Sequence, residues 1–201
     1  MKQKGFTVWF TGLPYSGKKQ LAGMLSAKLQ SIGIKNKILD GGTIRRQFDE
    51  NLGYSKNEVY KNIRRICFEC QMLTNNEVAA IAVTISPFRA LRKECREKIS
   101  AFIEVYCSCS IDVLKKRDVN RLYEKAERGE ISDVAGISAP YEEPKNPDVT
   151  FASDRETPEQ GLGKILHFLI QNHYIQESPK KVLTDEEEEI IRRSLRTKNI
   201  Y

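Results

Sequence analysis

No run of apolar residues in this 201-residue sequence approaches the ~18 that a membrane-spanning helix requires, which excludes a helical membrane protein. Histidine is scarce: only His167 and His173 occur, both in one stretch near the end of the chain, so no histidine-based acid–base or metal chemistry is expected. Cysteines number five, an odd count at irregular spacings, which suggests free thiols in a reducing compartment rather than a disulfide framework. Cys67 and Cys70 form a C-x-x-C, but no second Cys or His pair completes a zinc site. At i,i+3 on a helix they read as small buried apolar side chains. No internal repeat is present, and Met1-Lys2-Gln3-Lys4 leads straight into a strand-like segment without a signal-peptide pattern, so a cytoplasmic protein is expected. Nothing suggests a groove-reading helix, so neither nucleic acid nor a membrane is expected as a partner.

What the chain does contain is enough apolar sequence, 40%, for one core. Its 33 Lys and Arg outnumber 27 Asp and Glu, and a net charge of +6 suits an anionic small ligand such as a nucleotide as well as it suits nucleic acid, and decides neither. Residues 176–201 hold six acids and six bases, so the whole excess lies in 1–175. Two parts follow, a domain over 1–175 and a polar tail over 176–201. In the tail, Thr184 and Glu187 form a capping-box pattern, and Glu188/Arg192 and Glu189/Arg193 are helix-supporting pairs.

Within the first part, strand-like and helix-like segments alternate. Strands are predicted at 6–11, 37–39, 78–85, 102–107 and 149–151, and helices at 20–32, 57–73 and 158–173. The run from Val78 to Ile85 is apolar at nearly every position, as in a strand covered on both faces. The alternation implies βαβ units and an α/β fold, a parallel sheet flanked by helices on both faces.

The strongest chemical signal is Gly12-Leu13-Pro14-Tyr15-Ser16-Gly17-Lys18, set between the first strand and the first helix. This is the G-x-x-x-x-G-K spacing of a P-loop. Its glycines let backbone N–H groups curl around a phosphate, the helix turns its positive end to the same anion, and Lys18 supplies a point charge. The next residue breaks the pattern. Where a Ser or Thr hydroxyl would ligate Mg²⁺ stands Lys19, whose ammonium cannot ligate a cation. At ~4 Å and an effective dielectric of ~20, each pair of unit charges repels by about 4 kcal/mol, so the metal site is expected to be weakened.

Taken with that loop, several further segments carry a family resemblance. They include Gly5-Phe6-Thr7-Val8-Trp9, Asp40-Gly41-Gly42-Thr43-Ile44-Arg45, Leu52-Gly53-Tyr54-Ser55, Asn62-Ile63-Arg64-Arg65, Ile85-Ser86-Pro87-Phe88-Arg89 and Gly136-Ile137 with Pro140-Tyr141-Glu142. In unbroken order over about 5–175, the chain resembles adenylylsulfate kinase, the P-loop enzyme that phosphorylates the 3′-hydroxyl of adenylyl sulfate (APS) with ATP. It is most similar to the domains fused to ATP sulfurylase. The resemblance implies a P-loop kinase fold with a mobile lid over about 119–147. It also implies that Gly12, Leu13, Pro14, Tyr15, Ser16, Gly17, Lys18 and Lys19 surround ATP, with Arg117 touching it from the lid. Arg45, Tyr54, Asn62, Ile85, Ser86 and Gly136 would hold APS. ATP is the implied co-substrate, and a homodimer or an association with ATP sulfurylase is the implied assembly.

Five positions depart from the family pattern. Lys19 replaces the metal-binding hydroxyl, and Gly42 replaces the second Asp of Asp-Gly-Asp, which leaves Asp40 as a weak candidate base. Val59 and Asn120 replace an arginine and a lysine, and Val134 replaces an aromatic that would complete an adenine sandwich. Three functions therefore remain open: an APS-kinase-type phosphotransferase, a catalytically impaired nucleotide-binding regulatory or structural domain, and a kinase with another nucleotide acceptor. Two lost charge-assisted contacts would weaken APS by roughly two to four decades if additive.

Overall fold

The computed structural model describes residues 4–48 and 52–176, and all but the first residue of the predicted tail lies outside them. Among the described residues a single five-stranded sheet runs in the order β2-β3-β1-β4-β5, with every neighbouring pair parallel. The strands are β1 (Thr7–Thr11), β2 (Asn36–Asp40), β3 (Ala79–Val83), β4 (Phe102–Ser108) and β5 (Val149–Ala152). The helices are α1 (Lys18–Ser31), α2 (Gly41–Phe48), α3 (Lys56–Asn75), α4 (Arg89–Lys98), α5 (Ile111–Arg117), α6 (Leu122–Glu127) and α7 (Pro158–Gln171).

The two-residue period of β1 splits the core. Phe6, Val8 and Phe10 face a cluster completed by Leu21, Leu25 and Leu29 of α1 and Ile165 and Leu169 of α7. Trp9 points the other way, into Ile63, Ile66, Cys67 and Cys70 of α3 and Leu91 and Cys95 of α4. Every residue of β1 and of β3 is buried, as sandwiching between two helical layers requires. Cys67 and Cys70 thus serve as core side chains, whereas His167 and His173 are exposed.

Four helices were absent from the sequence reading. α4 is mostly charged, with Leu91 and Cys95 as its buried apolar residues. α2 opens on Gly41-Gly42, poor helix formers, and starts because the Asp40 carboxylate accepts from Thr43 N at 2.8 Å and Thr43 Oγ1 at 3.0 Å. α5 and α6 are short helices of 7 and 6 residues, about two turns each, too brief for an apolar period to show. By contrast α3 and α7 carry capping boxes, Ser55 with Glu58 and Thr157 with Gln160.

The chain leaves β1 toward the β2 edge, and the later β4 lies on the other side of β1. The order therefore switches direction at β1, and a crevice opens beyond the carboxyl ends of β1 and β3, the usual ligand position in such sheets.

Candidate active site

The Gly12–Lys18 loop fills the floor of that crevice. Gly12 holds φ +145°, and a Cβ there would lie 2.4 Å from the Cys107 carbonyl oxygen, so only glycine fits against β4. Tyr15 adopts φ 62° without being glycine, a strained turn costing about 1–3 kcal/mol. The Lys18 amine donates to Gly12 O at 2.8 Å, Leu13 O at 2.6 Å and Ser16 Oγ at 3.2 Å. Burial weighs most on its charge, nearby Lys19 adds to it, and its pKa is lowered to about 8. A buried cation supported by neutral acceptors gains from any anion brought to the loop.

A cavity of about 620 Å³ joins this loop to the far wall. It is lined on one side by Pro14, Tyr15, Ser16, Gly17, Lys18 and Lys19 and on the other by Arg45, Tyr54, Asn62, Ile85 and Ser86, so the predicted ATP-side and APS-side residues share one space. Three of the departures, Gly42, Val59 and Asn120, line it as well. Four predicted residues stand elsewhere. Gly12 and Leu13, the first two residues of the loop, do not line the cavity, and Gly12 packs against β4 instead. Gly136 (φ +87°) packs the lid onto the loop so closely that a Cβ would sit 2.8 Å from Leu13 Cδ2. Arg117 lines a separate cavity of about 340 Å³ behind Tyr15 and Gly17, and donates to Ser153 Oγ at 2.9 Å and Ser153 O at 2.6 Å.

The departures have local partners. The Lys19 ammonium lies 3.0 Å from Asp40 Oδ2, the one mostly solvent-exposed and the other mostly covered. Burial alone would raise the Asp40 pKa, but hydrogen bonds from Thr43 and Lys19 outweigh it and hold the carboxyl below its ordinary value. Asp40 is therefore a poor proton acceptor. Asn120 Nδ2 donates to Tyr15 Oη at 3.0 Å, tying the lid to the loop, and Tyr123 Oη donates to Pro14 O at 2.8 Å. Val134 is buried inside the lid, where its N–H donates to Ser138 Oγ at 3.0 Å. The Arg45 guanidinium lies 4.3 Å over the Tyr54 ring and also donates to Leu52 O at 3.2 Å and to Gly53 O. Asn62 Nδ2 donates to Gly41 O at 3.0 Å, leaving its buried Oδ1 without a partner on the cavity wall.

Magnesium is the metal such a loop ordinarily implies. The donor set does not suit it. An ammonium stands where a hydroxyl would ligate, and the Asp40 carboxylate is already paired with that ammonium. At residue 42 there is no side chain to supply a second carboxylate.

Sequence reasoning missed the residue that fixes the far wall. Arg92 of α4 is buried and donates to Glu104 Oε1 at 2.7 Å, Ser86 O at 2.6 Å and Glu142 O at 2.6 Å. Ser86 adopts φ 39°, and Trp9 Nε1 donates to its Oγ at 3.1 Å. Thr11 Oγ1 donates to Ile85 O at 2.7 Å and meets Tyr141 Oη at 3.0 Å. The lid, the sheet and Ile85-Ser86 thus form one network. Its only sequence signal is an arginine in helical register with Leu91 and Cys95, hidden by the charged residues around it.

Comparison with known proteins places this geometry. The profile of a family described as adenylylsulphate kinase matches residues 4–152. An adenylyl-sulfate kinase of Halothermothrix orenii is 42% identical over 173 residues, which cover 86% of this chain and 94% of that protein. A probable bifunctional SAT/APS kinase 2 of Sorangium cellulosum is 43% identical over 171 residues, 85% of this chain but 29% of the longer relative. Among solved structures, the Mycobacterium tuberculosis APS kinase CysC in complex with AMPPNP and APS superimposes with a TM-score of 0.78 at 33% identity, over 83% of this chain and 98% of its own.

Proposed function

The chain belongs to the adenylylsulphate kinase family, and from that premise we propose that it is an ATP-dependent phosphotransferase acting on adenylyl sulfate, with its rate lowered by the substitutions at Lys19, Gly42, Val59, Asn120 and Val134. The observation that carries this reading is the single cavity in which the Gly12–Lys18 loop faces Arg45, Tyr54, Asn62 and the Ile85-Ser86 backbone. The loop N–H groups and the Lys18 ammonium bind the triphosphate, while Arg117 borders the nucleotide from behind the loop. Arg45 offers its cationic face to the anionic end of the acceptor, and the unpartnered Asn62 Oδ1 accepts from an acceptor N–H or O–H.

In the reaction the acceptor 3′-oxygen bonds to the γ-phosphorus as the bond to the ADP oxygen breaks, and the hydroxyl proton passes to solvent. A loose phosphoryl-transfer transition state asks for placement and charge more than for a base, so a weakly basic Asp40 slows the reaction without forbidding it. Val59 and Asn120 each withdraw a cation from the acceptor side. At about 1.5–3 kcal/mol per charged contact, APS binding weakens by roughly two to four decades if the losses add. The longer bifunctional relative supports association with ATP sulfurylase.

One observation favours a second reading, a non-catalytic nucleotide-binding domain: Lys19, at the position where a P-loop has its metal-binding hydroxyl, is paired with Asp40. Turnover of ATP with APS decides between them. The kinase reading expects slow 3′-phosphorylated product, abolished by Lys18→Ala and raised by Lys19→Thr with Gly42→Asp. ATP binding with no product from either protein would select the second reading.

A further inference from the structure

The Lys19–Asp40 pair sits on the same cavity wall as Lys18, Ser16 and Gly17. Lys19 is the second residue of α1, so its stem leaves the helix beside the loop and its ammonium is carried toward the crevice by a carboxylate 3.0 Å away. That carboxylate is itself fixed: its other oxygen accepts from Thr43 N at 2.8 Å and from Thr43 Oγ1 at 3.0 Å at the start of α2. A flexible lysine is thereby given a defined seat by two elements that the sheet brings together. At residue 42 no side chain projects between the pair and the cavity; a Cβ there would meet Asp40 Oδ1 at 3.3 Å.

Resting on the nucleotide-binding reading above, the geometry points to a tethered cation: the Asp40-seated Lys19 ammonium takes over charge neutralisation of the terminal phosphates, and the nucleotide preferred by this site is the metal-free form. The chemical reasons are three. An ammonium neutralises phosphate oxygens and donates hydrogen bonds to them, as a hydrated cation does. A magnesium complex of the nucleotide would bring a second positive centre against Lys19, which repels it. The Asp40 carboxylate, which could otherwise hold a metal-bound water, is committed to Lys19. One substitution thus both supplies a fixed charge and excludes the mobile one, and Gly42 removes the carboxylate that would have competed for it.

Calorimetric titration of ATP into the full chain tests this, once with a chelator and once with excess Mg²⁺, for the wild type, Lys19→Thr and the pair Lys19→Thr/Gly42→Asp. The expected results are that wild-type affinity is equal or tighter in chelator, and that Lys19→Thr loses roughly two- to fivefold of its metal-free affinity, the size of one exposed ion pair. The double variant is expected to bind ATP at least about tenfold more tightly with Mg²⁺ than without, one decade being the least that marks a restored metal site. Because the Lys19 side chain is 80% exposed, the single variant keeps its fold, and it carries the test alone if the double variant does not fold. Tightening of wild-type binding by Mg²⁺ of about tenfold or more, or an unchanged metal-free affinity in Lys19→Thr, overturns the inference and leaves the kinase reading standing. Absence of ATP binding under both conditions overturns the two together.

Discussion

Replacing Arg92 should unfasten the acceptor wall, because that residue holds three separated segments at once. Its guanidinium meets Glu104 on β4 at 2.7 Å, the Ser86 carbonyl at 2.6 Å and the Glu142 carbonyl at 2.6 Å. Arg92→Met leaves the Glu104 carboxylate buried with only the partly exposed Arg96 at 3.5 Å. Breaking a buried pair from one side costs about 3–5 kcal/mol. Glu104→Met strands the arginine and costs a similar amount. Removing both partners together is different: the charges vanish in concert, and what remains is the loss at the two carbonyls, about 1–3 kcal/mol. Urea unfolding of wild type, both single variants and the double variant measures this directly, with an unchanged denaturant slope as the check on two-state behaviour. The double variant is expected to be more stable than either single one. If the single losses simply add in the double variant, Arg92 and Glu104 are not energetically coupled, and the account of the wall is wrong.

Two further outcomes follow from the same geometry. The Lys18 pKa is lowered from 10.5 to about 8, so between those values the unfolded chain binds more protons; folding stability should rise with pH through that window, while ATP affinity should fall by up to about tenfold per pH unit as the ammonium discharges. Thermal unfolding and ATP titration across the window check both slopes, and Lys18→Met should flatten the stability slope. Gly136→Ala should cost about 1–2 kcal/mol because its φ is +87°, with an added clash against Leu13; adding Leu13→Ala should recover only the steric part, as read by the unfolding midpoint.

The loop and the central strands were legible because their signals are local. G-x-x-x-x-G-K spacing needs only its own backbone, β1 is β-branched or aromatic throughout, and β3 is apolar on both faces. The parallel sheet, its two helical layers and the buried cysteines of α3 follow from the same patterning. α4 escaped because it buries Arg92 as well as Leu91 and Cys95, and the carboxylate that makes this tolerable lies on a strand reached later in the chain. The partners of the departed positions were equally out of sight: Asn120 meets Tyr15 across 105 residues, and Lys19 meets Asp40 only once β2 is laid beside β3. Tyr54 is expected from the resemblance to hold APS, and the structure shows the Arg45 guanidinium already 4.3 Å from its ring. Each of these is a long-range pairing, and single-sequence patterns report only what a segment needs from itself.

Titration of ATP into wild type and Lys18→Ala puts the polyphosphate grip of the Gly12–Lys18 loop to its most direct trial. A saturable one-site isotherm for the wild type that disappears in Lys18→Ala is the predicted result. No heat with the wild type, or equal affinity for both proteins, would contradict it.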